Sequence, residues 1–331
     1  MIKTIKIKDL AIGMYVVLPS SWFNHPFLRG RFIVGTEADI ERIAATGLHE
    51  VSIDTAKGLS FPNIDVMSHR AEPPVLTRQA PSQWEPEKLI PEDLRIALAD
   101  SRMPKERKAE VVYHSSLVMM ERLFEDPKAE NIRTVKKEIS RVVDVIISDD
   151  ATARYMLTIT AHDFYTYTHS VNVGVLGVML SHLLFERSNS HDMHELGAGY
   201  FLHDLGKVRV DPAIINKPGI LTEEEMKRMR IHPYQSYKIL VESGQLTEEC
   251  RIIALQHHER EDGNGYPRGL QGDQIHIYGR ISSMIDVYDA LTAERSYKPQ
   301  LKPFEALQIM KEEMINHFHP QLFEKFVMLF L

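Results

Sequence analysis

His257-His258-Glu259-Arg260-Glu261-Asp262-Gly263-Asn264-Gly265-Tyr266-Pro267 sets two adjacent imidazoles beside an acidic, glycine-rich turn. A packed core has no use for that combination, whereas a metal site does. The glycines permit a tight turn with positive φ, and Pro267 stiffens its exit. Such a loop shapes the rim of a site, offers Tyr266 for stacking on a base, or docks another protein. Upstream, His203-Asp204-Leu205-Gly206-Lys207 follows the apolar run Gly199-Tyr200-Phe201-Leu202.

Working outward from these segments, apolar residues recur every three or four positions through 104–125, 130–148, 151–161, 162–185, 192–206, 222–231, 234–243, 246–258, 273–292 and 303–317. That periodicity predicts an all-α domain over 104–331. Residues 1–70 differ in texture. Ile5-Lys6-Ile7, Tyr15-Val16-Val17-Leu18, Arg31-Phe32-Ile33-Val34 and His49 to Ile53 read as short strands around a helix from Thr36 to Ala45, a small α+β unit. Between the two, 71–103 holds Pro73, Pro74, Pro81, Pro86 and Pro91 and reads as a linker. No internal repeat interrupts this two-domain plan.

With 331 residues and 44% hydrophobic content the chain can bury a large core. Its net charge of −7 argues against DNA or RNA as partner, so an anionic ligand must be met by local Lys, Arg or metal. The single cysteine, Cys250, excludes an internal disulfide and a thiolate-rich zinc site, and fits a reducing cytoplasm. Leu10 to Leu18 is followed by Pro19 and Trp22 rather than a small-residue cleavage site, and is read as a buried strand. The uncharged segment Ser170 to Phe185 is shorter than the roughly 20 residues of a bilayer span, so no membrane span is expected.

His-Asp dipeptides occur at 162–163, 191–192 and 203–204. The first two lie near helix starts in polar surroundings, where Asp is a natural cap. The third is embedded in apolar sequence, with Lys207 four residues after His203 and three after Asp204. An ionised Asp there must be paired or coordinated. Taken alone, this segment leaves open a buried Asp204–Lys207 ion pair or a metal ligand. His169, His232, His257, His258 and Asp286 shift the balance, since each falls on a predicted helix or its end and a bundle can converge them. Five His and two Asp suit two metals. Nitrogen and carboxylate donors without thiolate favour iron or manganese, with nickel, cobalt, zinc and magnesium also compatible.

From about residue 105 to 331 the sequence resembles the HD-GYP family of metal-dependent cyclic dinucleotide phosphodiesterases. The resemblance runs through Tyr165 to Ser170, His203 to Lys207, Lys217-Pro218-Gly219 with Leu221-Thr222-Glu223-Glu224, His232-Pro233, the loop ending in Gly265-Tyr266-Pro267, and Asp286 to Thr292 continuing to Arg295-Ser296-Tyr297-Lys298. It implies an all-α bundle with a carboxylate-bridged pair of metals. One metal takes His169, His203, Asp204 and Asp286; its neighbour shares Asp204 and takes His232, His257 and His258. Some relatives hold a third metal through a glutamate where this chain has Tyr165, which implies two metals here. The resemblance also puts Lys207, Asp289, Arg295 and Lys298 on the substrate and makes a diguanylate cyclase a partner for the loop. A homodimer is a further expectation.

The implied reaction is hydrolysis of cyclic di-GMP or 3′3′-cyclic GMP-AMP to a linear dinucleotide by in-line attack of a metal-bridging hydroxide. Making hydroxide from bulk water at neutral pH costs about 12 kcal/mol, which two metals largely remove and one lysine does not. The alternative is a non-catalytic cyclic dinucleotide receptor or docking module. Other HD-fold hydrolases and oxygenases lack the paired histidines leading into the loop. Residues 1 to about 67 resemble a domain of unknown function that often precedes HD-GYP domains. Two departures stand out: His276 replaces the Pro usual before the next helix, and the chain stops at Leu331, short of the tails of many relatives.

Overall fold

The computed structural model describes residues 2–17, 31–34, 39–40, 43–44, 50–54, 84–159, 166–188, 190–217, 221–293 and 301–331. It divides into two compact units, Met1–Thr77 and Arg78–Leu331. In the first, Ile2–Lys6 (β1), Tyr15–Val17 (β2), Arg31–Ile33 (β3) and Glu50–Asp54 (β4) pair antiparallel in the order β1-β4-β2-β3. Alternation decides which side is buried. Val51 and Ile53 of β4 turn inward with Val16, Val34, Met14 and Ile43, while Glu50 stays exposed. Asp39, Ile40, Ile43 and Ala44 are helical, inside the stretch expected to be so.

The second unit is helical. Its elements are Pro86–Leu89 (α1), Glu92–Ala99 (α2), Lys105–Glu125 (α3), Ala129–Ser148 (α4), Asp150–Ile159 (α5), Thr166–Phe185 (α6), Met193–Leu202 (α7), Pro212–Ile215 (α8), Glu223–Met229 (α9), His232–Glu242 (α10), Glu248–Gln256 (α11), Ile277–Thr292 (α12), Pro303–Glu313 (α13) and Pro320–Val327 (α14). Helix α6 is the shaft of the unit. Every residue from Ser170 to Ser181 is buried, against α7, α12, α3 and α4. By length and composition α6 could cross a membrane, more than its uncharged run suggested, yet 72% of its most apolar window is buried inside the fold. Packing therefore accounts for its apolar surface. Each fully buried Leu, Val or Phe contributes about 1.5–3 kcal/mol. This offsets the several kcal/mol that each buried ion of the polar centre costs.

The linker expected to reach residue 103 ends earlier. Pro86 takes the first turn of α1 and Pro91 caps α2, the positions where a missing N–H costs nothing. Leu89, Ile90, Leu94 and Ala97 enter the helical core. Trp84 ties the segment to α3: its indole Nε1–H donates to Glu125 at 2.8 Å and its backbone N–H to Asp126 at 3.0 Å. Pro86 and Pro91, breakers by composition, act here as helix starts.

Candidate metal centre

Four helix ends and one mid-helix face build the centre. His169 lies in the first turn of α6. Helix α7, expected to run to residue 206, stops at Leu202, so His203 is its C-cap and Asp204 turns the chain into a 3₁₀ turn, Leu205–Arg209. Gly206 makes that turn possible. A Cβ there would stand 2.1 Å from the His232 carbonyl oxygen and 2.3 Å from the Ser236 nitrogen, so only glycine lets the turn lie on the start of α10. The Gly206 N–H donates to Ser236 Oγ at 2.7 Å and locks the contact. His232 and Pro233 open α10, His257 is the C-cap of α11 with His258 next, and Asp286 projects from the middle of α12.

Asp204 lies between two groups of imidazoles. Its Oδ1 is 3.2 Å from His232 Nε2 and 3.7 Å from His257 Nε2, and its Oδ2 is 3.5 Å from both His169 Nε2 and His203 Nε2. Lys207 Nζ sits 2.5 Å from Oδ2 as an ion pair. Asp286 spans the other side, with Oδ1 2.9 Å from His169 Nε2 and Oδ2 3.3 Å from His258 Nδ1. Three overlapping sets have ligand atoms close enough to share an ion: His232, His257 and His258; His169, His203 and Asp286; His203, Asp204 and His257.

Proton positions test whether a cation fits. The Nδ1 atoms of His203 and His232 lie 2.7 Å from the carbonyls of Tyr200 and Met229, and His257 Nδ1 lies 3.0 Å from that of Ala254. A carbonyl only accepts, so each Nδ1 carries the hydrogen and each Nε2 lone pair faces inward. Burial lowers His203 to about 4 and His232 to about 3, and holds His257 well below the ordinary range. All three are neutral at pH 7. Burial opposes charge on Asp204 too, but the Lys207 ammonium, with protonated His169 near, outweighs it and keeps the carboxyl ionised.

The result is lone pairs facing lone pairs. His232 Nε2 is 3.1 Å from His257 Nε2, and Asp204 Oδ1 has no hydrogen-bond partner while Oδ2 has only the Lys207 ion pair. Such an arrangement is costly for protein atoms alone. A divalent cation held by nitrogen and carboxylate donors would satisfy it.

A family profile described as an HD domain matches residues 156–322, and one described as a domain of unknown function (DUF3391) matches residues 2–137. A cyclic di-GMP phosphodiesterase of Pseudomonas aeruginosa is 35% identical over 332 residues, covering 99% of this chain and 76% of that protein. The chain belongs to the HD-GYP family. A 3′3′-cGAMP-specific phosphodiesterase of Vibrio cholerae is 40% identical over 163 residues, but there the match takes in 48% of the HD-GYP chain and 30% of the relative. Among solved structures, an HDG"Y"P protein from Bdellovibrio bacteriovorus shares the fold. Its TM-score is 0.61 at 17% identity, over 98% of both chains.

The structure moves two HD-GYP residues from their expected places. Asp289, expected on the substrate, stands behind the centre: Oδ2 is 2.7 Å from His169 Nδ1, and Oδ1 accepts from Asn172 Nδ2 at 2.7 Å. The Tyr113 hydroxyl in turn donates to Asn172 Oδ1 at 2.6 Å. With both oxygens engaged and burial nearly complete, Asp289 orients His169. Burial works to lower the pKa of His169, but its hydrogen bonds to Asp286 and Asp289 prevail and raise it to about 10. Sequence reading passed over Asn172 and Tyr113. The signal was there in Asn172, a polar residue three positions after His169 on the same face of an otherwise apolar helix.

Tyr266 is the second. Its ring stacks on His258 at 4.5 Å and carries the Arg230 guanidinium at 5.1 Å, so it packs on the centre and does not stand free for a base. Burial, with Asp286 and Asp204 near, pushes its phenol upward and keeps it protonated. The loop is held from behind by Glu259, 1% exposed, whose carboxylate accepts the N–H groups of Arg268 and Leu270, each at 2.8 Å. Gly263 has φ 78°, as the turn demands. Gly265 is needed for space instead, since a Cβ would lie 2.6 Å from the His258 carbonyl oxygen.

Asp192 caps α7 through the N–H groups of His194 and Glu195, as its dipeptide suggested. His276, in place of the usual Pro, caps α12 by accepting from the Tyr278 N–H. Arg295, Lys298, Tyr165 and the His162-Asp163 dipeptide lie outside the described residues.

Proposed function

We infer that the chain is a metal-dependent phosphodiesterase that hydrolyses a cyclic dinucleotide, cyclic di-GMP or 3′3′-cyclic GMP-AMP, to a linear dinucleotide. The observation that carries this is Asp204, a buried carboxylate whose Oδ1 has no hydrogen-bond partner and whose two oxygens lie within 3.2–3.7 Å of the Nε2 atoms of His169, His203, His232 and His257, the last three neutral with lone pairs turned inward. His169, His203, Asp204 and Asp286 would hold one cation, and Asp204, His232, His257 and His258 a second, iron or manganese first. When bound, the cations supply Lewis acidity toward water and the phosphoryl oxygens.

The remaining work belongs to side chains. Backbone carbonyls fix the tautomers of His203, His232 and His257, and Asp289 does so for His169, so the donors are aligned before any ligand arrives. Lys207, partly exposed and anchored on Asp204, can meet charge that grows on a phosphoryl oxygen. The exposed loop tip at Asn264, with Pro267 to Gly269, is the surface we assign to a protein partner such as a diguanylate cyclase.

Product analysis with both cyclic dinucleotides, using protein loaded with Mn²⁺ or Fe²⁺ beside His203→Ala and Asp204→Ala, tests the reading. Linear dinucleotide from the parent protein alone is expected, and the rate ratio names the substrate. Tight binding without turnover would instead make the chain a receptor.

A further inference from the structure

Arg230 ligates nothing in the centre, yet its guanidinium lies over Tyr266, the ring that stacks on His258. As C-cap of α9 it has fixed backbone angles (φ −65°, ψ −3°), and its N–H donates to the Met226 carbonyl at 2.9 Å. The preceding carbonyl, of Met229, is the one that orients His232. Its side chain lies over Tyr266, and Tyr266 lies on His258. One aromatic layer therefore separates the guanidinium from the imidazoles.

The guanidinium carbon lies over the ring at 5.1 Å from its centroid, a cation–π contact that needs no N–H hydrogen bond. Arg230 is exposed and pairs with no carboxylate among the described residues, whereas Arg209, Arg260 and Arg280 nearby in sequence each meet an Asp or Glu. The five N–H donors of Arg230 thus stand beside Tyr266, next to the centre, in a chain whose net charge is −7.

A cyclic dinucleotide carries two phosphodiesters on opposite sides of one macrocycle. With one beside Lys207 and the metal-ligating residues, the other lies away from the reacting centre and needs a cationic partner of its own. We propose that Arg230 is a specificity-determining residue that holds this second, non-reacting phosphate. The inference rests on the proposed activity. It explains how an acidic protein retains a doubly anionic ligand, and it separates cyclic dinucleotides from esters with a single phosphate.

The test is steady-state kinetics of the full-length, Mn²⁺-loaded protein and its Arg230→Ala and Arg230→Lys variants. The substrates are cyclic di-GMP, 3′3′-cyclic GMP-AMP and bis(p-nitrophenyl) phosphate, which has one phosphate. Loss of a charge-assisted, bidentate contact predicts a roughly 10- to 100-fold rise in KM for the preferred cyclic dinucleotide in Arg230→Ala, with partial recovery in Arg230→Lys. The fall in kcat/KM should exceed that for the single-phosphate ester by about tenfold or more. An equal fall on both substrates, or none, overturns the assignment, since Arg230 would then act only by packing on Tyr266. If the parent protein turns over bis(p-nitrophenyl) phosphate but neither cyclic dinucleotide, the proposed activity itself fails and this inference with it.

Discussion

Asp289→Asn is the substitution that best separates the role the structure gives this residue from the one its position in the sequence motif implied. The carboxylate accepts at 2.7 Å from both His169 Nδ1 and Asn172 Nδ2. An amide offers one oxygen and one NH₂. If its NH₂ faces His169, the imidazole must accept at Nδ1 and carry its proton on Nε2, the atom that lies 2.9 Å from Asp286 and points into the centre. If its oxygen faces His169 instead, the NH₂ meets the NH₂ of Asn172, and the bond from Tyr113 must rearrange. Either way one charge-assisted hydrogen bond is lost, about 1.5–3 kcal/mol. That corresponds to a loss in metal affinity of about 10- to 100-fold, the range for partners of ligating histidines. Titration calorimetry with Mn²⁺, together with metal content after gel filtration, measures it; kcat should fall in step at limiting metal. If metal affinity were unchanged while KM alone rose, Asp289 would be a substrate contact and the reasoning would be wrong.

Other outcomes follow from the same geometry. Gly206→Ala forces a methyl against the His232 carbonyl, so thermal unfolding should show a loss of roughly 1–3 kcal/mol, with metal bound near His232 lost first; unchanged Tm and metal content would refute the close approach. In the metal-free protein His169 holds a proton up to about pH 10, and a metal must displace it. Affinity for Mn²⁺ should therefore rise about tenfold per pH unit between pH 6 and 8, with proton release seen by calorimetry in buffers of differing ionisation enthalpy; a flat profile contradicts it. Glu259→Ala leaves the Arg268 and Leu270 N–H groups without their acceptor, costing about 1–3 kcal/mol each where buried. Cleavage of the Asp262–Pro267 loop by added protease should accelerate, and unchanged cleavage would show the loop to be held otherwise. Chelation should abolish turnover and Mn²⁺ or Fe²⁺ should restore it, as assayed by product formation.

Much of this protein is legible in its sequence because helices and metal-ligand motifs are local patterns. The three- and four-residue recurrence predicted the helical unit, the alternation Val51, Ile53 marked a half-buried strand, and the order of the His and Asp motifs pointed to an HD-GYP chain. Boundaries were harder where a single residue has two uses: Pro86 and Pro91 start helices that join the core, and α7 ends at Leu202 because Gly206 must reach α10.

What only tertiary structure decided is which groups meet. His169 and Asp289 are 120 residues apart, so nothing in local spacing distinguishes a carboxylate facing substrate from one facing the back of an imidazole. Tyr266, conspicuous in its loop, packs on His258 and under Arg230, a residue with no motif to mark it. Hydrophobic periodicity fixes which face of each element is buried, whereas the direction of a buried polar side chain depends on partners brought by other elements, and those distances exist only after the helices pack.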